Sequence, residues 1–217
     1  MLRKEGCSSD AARRAVLAVP LAVPASMAGV FALLARRCRP QVAYNVGFAM
    51  YWVGWCLAFP LWVLGPRRAV DVLTRGRRPT LGEAALLALP VAGSVATRLL
   101  PRRDEVDARV GGMMVVTAAV NAVGEELLWR GAFVEEFPDD PWRGAVWPLL
   151  GFAVWHLAPQ VILPSRIGRL RFILGSALVG TASTLAAWRE GGLRWVLAPH
   201  AATDACGVTA ALFRLGR

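Results

Sequence analysis

The sequence predicts an all-α polytopic membrane protein, a bundle of about seven transmembrane helices enclosing an intramembrane polar site. Three observations carry this. The chain has 217 residues, of which 56% are hydrophobic and only 18% charged, against about a quarter charged in a soluble domain. The charges are clustered, leaving stretches such as Ala15 to Ala35 and Pro40 to Pro66 with none; each exceeds the roughly 20 apolar residues that span a bilayer. The C-terminal half then places glutamate, histidine, arginine and aspartate inside apolar segments, where ionisable groups are costly and point to function.

The elements follow in order. The first span covers about 14–36. Its start, Arg13-Arg14 before an apolar run with Ser26-Met27-Ala28, is loosely like a signal peptide. The run continues to Ala35 and stops at Arg36-Arg37, as a retained span does. Further helices are predicted at 42–65, 81–100, 108–134, 144–163, 171–189 and 193–214. The third is the weakest, being uncharged only from Ala84 to Thr97 and interrupted by Pro90, and reads as short, tilted or re-entrant. Short connections imply one helical domain, and no repeat is visible. Abundant Ala and Gly suit close helix contacts in lipid. Pro148, Pro159 and Pro199 each remove a backbone hydrogen bond and kink a helix.

The net charge of +10 does not indicate nucleic acid. Lysine occurs once, at Lys4, against 24 arginines. With so much Ala, Gly and Pro, this reads as GC-rich codon usage and places the chain in a bacterial cell membrane. The arginines stand in pairs at the ends of apolar runs, such as Arg67-Arg68, Arg77-Arg78 and Arg102-Arg103, where they reach lipid headgroups. Membrane lipid is the expected partner. Counting basic residues in the loops gives 12 on each side, so the positive-inside rule assigns no orientation. Cys7, Cys38, Cys56 and Cys206 lack paired spacing, and no disulfide framework is expected.

Three short motifs carry the chemistry. Glu125-Glu126-Leu127-Leu128-Trp129-Arg130 ends the apolar run from Val110 to Gly124. Residues four apart share a helical face and adjacent ones diverge by about 100°. Glu126 and Arg130 therefore can pair, while Glu125 faces elsewhere. Phe152-Ala153-Val154-Trp155-His156 places an imidazole in a run with no other ionisable group. His200-Ala201-Ala202-Thr203-Asp204 sets two polar residues on one face, with Pro199 starting the turn.

Each motif alone has a plain structural reading: a solvated helix end, a satisfied core histidine, a His–Asp bond between helices. Glu135-Glu136, before Pro138-Asp139-Asp140-Pro141, reads as a solvated acidic loop. Together the three motifs converge on one polar cavity. Two carboxylates and two imidazoles suffice to activate water and hold an oxyanion, or to bind a divalent metal that activates water. Spacing does not separate these mechanisms. There is no HExxH pattern and no placed serine or cysteine nucleophile.

EExxxR, FxxxH and HxxxD on successive membrane helices resemble the CAAX protease and bacteriocin-processing family, which includes type II CAAX prenyl endopeptidases and bacterial immunity-type proteins. The resemblance covers about 110–215 and divides the chain into variable N-terminal spans, 1–105, and a catalytic core, 106–217. It implies an endopeptidase acting on a membrane-associated protein or peptide. Glu125 would be the general base, assisted by His156. His200 and residue 204 would stabilise the oxyanion, and Glu126 and Arg130 would shape the site. A metal-free, glutamate-activated water is favoured. If a metal such as zinc is present, Glu125, His156, His200 and Asp204 would be its ligands. The family's prenyl endopeptidases tend to have asparagine where this chain has Asp204, which leaves the role of residue 204 and a prenylated substrate open. The alternatives are a non-catalytic immunity or scaffold protein and, third, a small ion-coupled transporter.

Overall fold

The computed structural model describes residues 10–217, and every regular element among them is helical. Lys4 and Cys7 lie outside the described residues. Four long helices run up and down in succession: α1 (Asp10–Arg37), α2 (Pro40–Thr74), α3 (Leu81–Glu105) and α4 (Ala108–Glu136). A short helix, α5 (Trp147–Trp155), precedes the fifth long one, α6 (Arg169–Glu190). Two short helices follow, α7 (Leu197–Asp204) and α8 (Val208–Arg214). The five long helices are apolar enough to cross a membrane. Their outer faces leave large apolar side chains uncovered, among them Leu21, Val53, Leu89, Val116 and Leu174, as a surface facing lipid tails requires. The chain is a multi-pass integral membrane protein.

Local sequence sets the helix ends. Thr80 and Glu83 form a capping box, with Glu83 N–H donating to Thr80 Oγ1 at 3.3 Å and Thr80 N–H to Glu83 Oε2 at 2.8 Å. Asp107 caps α4, accepting from Val110 N–H at 2.8 Å. Gly191, at φ 70°, closes α6 in the left-handed conformation. Cys38, Cys56 and Cys206 are free thiols.

Several predicted boundaries move. The helix expected at 42–65 runs on to Thr74 through a break at Gly65, where φ is 73°. Pro66 has no N–H to lose at that break and restarts the helix. The helix expected at 144–163 ends at Trp155. Pro159 cannot donate to the Trp155 carbonyl four residues back, and that carbonyl instead accepts from Ala158 N–H at 2.9 Å in a tighter turn. The helix expected at 193–214 is two helices, parted at Ala205–Gly207. The third predicted span, by contrast, is a long helix carried through Pro90 to Glu105. Glu135 and Glu136 are not a solvated loop. They close α4 and pair with Arg68 and Arg75 of α2, Glu136 with only 3% of its side chain exposed. Loop placement would leave those arginines unmatched at the same helix ends.

The core lies where α1, α2, α4 and α5 meet, around Phe31, Tyr51, Trp129, Phe152 and Trp155. Small residues permit the close crossings. A Cβ on Gly151 would stand 2.5 Å from Pro20 of α1 and 2.8 Å from Trp129 of α4. One on Gly180 would stand 2.8 Å from Phe152 and Leu149.

Candidate active site

The EExxxR motif lies in the C-terminal half of α4, inside the bundle. Glu125 is 2% exposed, Glu126 0% and Arg130 1%. Helical spacing does the sorting the sequence suggests. Glu126 and Arg130 are neighbours on one face, with Oε1 and Nη1 3.3 Å apart. Thr184 Oγ1 accepts from Arg130 Nε at 3.2 Å, the Gly180 carbonyl accepts from Nη2 at 3.3 Å, and the guanidinium stacks 4.1 Å from the Phe152 ring centre. Planar stacking and forked donors of this kind hold a buried guanidinium rigidly. Arg130 thus ties α4 to α5 and α6.

Glu126 also holds the third motif. Its Oε1 lies 2.6 Å from His200 Nδ1, and His200 is 3% exposed. A carboxylate oxygen facing an arginine accepts, so Nδ1 is the donor. His200 Nε2 then points to two further acids. Glu125 Oε2 stands 3.6 Å away and Asp204 Oδ2 3.5 Å away.

Glu125 is held by one oxygen only. Its Oε1 accepts from Tyr51 Oη at 3.0 Å and from Trp155 Nε1 at 2.9 Å. Tyr51 in turn accepts from Trp129 Nε1 at 2.8 Å, and its ring stacks on Trp155 at 3.8 Å. The other oxygen, Oε2, is buried without a hydrogen-bond partner. A bare carboxylate oxygen in a dry interior is costly. Glu126 Oε2 also lacks a hydrogen-bond partner among the described residues, but Glu125 Oε2 is the one 3.6 Å from His200 Nε2.

Asp204 forms the open side, with 28% of its side chain exposed. A chain of three side chains fixes its role. Trp52 Nε1 only donates, and it donates to Asn121 Oδ1 at 2.8 Å. That orients the Asn121 amide so that Nδ2 donates to Asp204 Oδ2 at 2.8 Å. Asp204 Oδ2 is therefore an acceptor.

His156 stands at the margin. Its Nδ1 lies 2.7 Å from the Phe152 carbonyl, which can only accept, so the unprotonated nitrogen is Nε2. The ring contacts Phe152 at 4.7 Å and Phe172 at 5.9 Å between centres. No hydrogen bond or ion pair joins it to Glu125 among the described residues. Five of the six motif residues thus form one continuous network, and His156 adjoins it through the Phe152 ring.

Among the described residues, no three His, Cys, Asp or Glu side chains are grouped to hold a metal ion. His156 and His200 each commit Nδ1 elsewhere, to the Phe152 carbonyl and to Glu126. Each ring thereby keeps Nε2 for the site, the arrangement in which a histidine's second nitrogen serves as donor or ligand.

Sequence reasoning missed Tyr51, Trp52, Asn121, Trp129 and Trp155. Asn121 carries a signal: it lies four residues before Glu125 and is an amide in an apolar run. The aromatic residues carry none, since tryptophan and tyrosine are as common at lipid-facing positions.

Residues 108–206 match the family model of the type II CAAX prenyl endopeptidase Rce1-like proteins. No curated protein and no solved structure matches the chain. The matched stretch contains all six motif residues, from Glu125 to Asp204, and supports the resemblance to the CAAX protease family that the three motifs carry.

Proposed function

We propose that this endopeptidase hydrolyses a peptide bond of a membrane-associated protein or peptide with a water molecule activated by Glu125, without a metal. The observation that carries the reading is the unpartnered, buried Glu125 Oε2, 3.6 Å from His200 Nε2. Tyr51 and Trp155 fix Oε1, so Oε2 keeps one direction and its free lone pairs. A water bonded there lies beside the imidazole. Nε2 faces only acceptors and carries its proton, while 3.5 and 3.6 Å separations leave that proton uncommitted.

The steps then balance. Glu125 Oε2 takes a proton as the water oxygen bonds to the scissile carbonyl carbon. The carbonyl oxygen becomes an oxyanion held by His200 Nε2–H. Collapse breaks the C–N bond, and Glu125 returns its proton to the leaving amine. Asp204, held by Asn121 as an acceptor, orients the imidazole rather than meeting the oxyanion. Glu126 and Arg130 fix the same ring from the other side. His156 Nε2, with its lone pair free, serves as an acceptor for the substrate backbone or the attacking water at the margin of the site. In a bacterial membrane the substrate is a membrane-held peptide or a protein C-terminus.

Comparing the termini of membrane peptides in cells carrying wild type or Glu125→Ala identifies substrates. Termini that are unchanged in the variant, with both proteins present at equal level, overturn the reading.

A further inference from the structure

We propose a second site, independent of the catalytic one: a cleft at the Arg37 end of the bundle that holds the phosphate of an anionic lipid. The long helices alternate in direction, so Arg36, Arg98, Arg102, the 157–168 connection and α8 share that end. Cross-links confirm the neighbourhood: Arg102 donates to Thr209, and Arg217 donates to Asp107 at 2.5 Å. The cleft has a volume of about 510 Å³. Arg102, Arg166, Arg217 and Thr209 face it with a single acid, Glu105.

The two ends of the bundle differ in charge pairing. At the Asp10 end, Arg68, Arg75 and Arg77 are matched by Glu135, Glu136 and Glu83. At the Arg37 end, the acids are Asp104, Glu105 and Asp107, outnumbered several-fold by arginine. Arg166 has no hydrogen bond among the described residues; its charge acts on Glu105, whose two oxygens already accept from Arg102 at 2.6 and 2.7 Å. Thr209 Oγ1 accepts from Arg102, which leaves its hydroxyl proton to donate. A guanidinium with all its N–H donors free, a second partly used one on Arg217 and a free hydroxyl proton converge on one opening. That is a donor set for a phosphate.

The rest of the lining decides the source of the phosphate. Leu163, Leu212 and Phe213 form an apolar wall. Close in the chain to the lining residues Arg102 and Arg166, Leu100, Ile167 and Leu170 are 52%, 54% and 69% exposed. An acyl chain leaving the phosphate would lie along those side chains, whereas a free ion or a polar peptide end would leave them in contact with water. The combination suits an amphiphile at the level of the headgroups.

The test uses the full-length protein in detergent, titrated with phosphatidylglycerol, phosphatidylcholine, inorganic phosphate or a short peptide with a free C-terminal carboxylate. Native mass spectrometry counts bound molecules and the Tm is read in parallel. Expected is one tight phosphatidylglycerol per protein with a raised Tm, and affinity about fivefold weaker in Arg166→Gln. Thr209→Val should weaken it as well. Arg36→Gln, at the same end but outside the cleft, should leave it unchanged. Equal stabilisation by inorganic phosphate assigns the cleft to small anions, and displacement of the lipid by the peptide assigns it to substrate ends; either overturns the proposal. So does an equal loss in Arg36→Gln and Arg166→Gln, which would mean diffuse attraction. Arg166 is exposed, so its substitution leaves the core intact.

Discussion

His200 Nδ1 donates to Glu126 Oε1 at 2.6 Å in a pocket where both side chains are almost wholly enclosed. The same oxygen also faces Arg130. Removing Glu126 would therefore strand a guanidinium and an imidazole in the bundle core. Glu126→Ala should lower stability by about 3–5 kcal/mol, the usual result of breaking one partner out of a buried ion pair. Glu126→Gln keeps an acceptor oxygen and should cost less. Chemical denaturation in a fixed detergent separates the two; equal stability of Glu126→Ala and wild type would refute the network.

Glu125→Gln should remove about 10²–10⁴-fold of the rate, the usual contribution of a general base. The Gln Oε1 can still accept from Tyr51 and Trp155, so the Tm should stay within a few degrees of wild type. Cleavage of an identified substrate within threefold of wild type would show that another group activates water.

Asn121 and Asp204 offer an exchange experiment. Asn121→Asp alone would set two carboxylates against each other where one amide hydrogen bond now lies, 2.8 Å long. It should reduce kcat by tenfold or more. Asp204→Asn alone keeps an acceptor oxygen for Asn121 but loses the negative charge beside His200. The double variant restores one donor and one acceptor and should recover part of the loss. Additive losses in the double-mutant cycle would mean that the two residues act separately.

Gly180→Ala tests the packing that supports Arg130. The new methyl would stand 2.8 Å from the Phe152 ring, which is pinned between Arg130 and Trp129. Overpacking of this kind costs about 1–3 kcal/mol. The loss should appear as a lower Tm together with reduced activity, because Phe152 also touches His156. A Tm equal to wild type would show that the ring has room to move.

Asp107 gives a pH-dependent test outside the spans. The Val110 N–H, then Arg217, hold its carboxyl below the ordinary aspartate range. A depressed folded-state value means that the contribution is complete above the unfolded value, near 3.9, and fades as pH falls through the folded one. The Tm difference between wild type and Asp107→Ala should be small and constant at neutral pH and shrink below pH 4. A difference that grows on acidification would assign the cap to another group.

The membrane bundle was readable because apolar run length is a property of consecutive residues. The Glu126–Arg130 and His200–Asp204 pairings were readable for a similar reason, since four-residue spacing fixes a shared face. What spacing cannot supply is the partner on another helix. Nothing near Glu125 in the chain points to Tyr51, 74 residues away. Nothing near Glu136 points to Arg68 of α2, which is why an acidic pair before two prolines read as a loop. The π-type turns at Tyr51–Ala58 and Leu127–Gly131 also escape a 3.6-residue count. They widen α2 and α4 beside the site and shift the faces that follow. The helix ends at Trp155 and Asp204 depended on Pro159 and on the Ala205–Gly207 break. Proline permits a kink or an end, and only the packed structure chooses between them.

The two oxygens of Glu125 lead separate lives. One is spoken for by indole and phenol, a static grip that any side chain of the same shape could accept. The other is left without company in a place where solitude is expensive. A folded chain that keeps such an atom bare stays primed: the affinity withheld from neighbours is available to the first small polar visitor. A bundle built for rigidity alone would have met that oxygen with one more hydroxyl, and its absence marks where the interior was shaped for a guest.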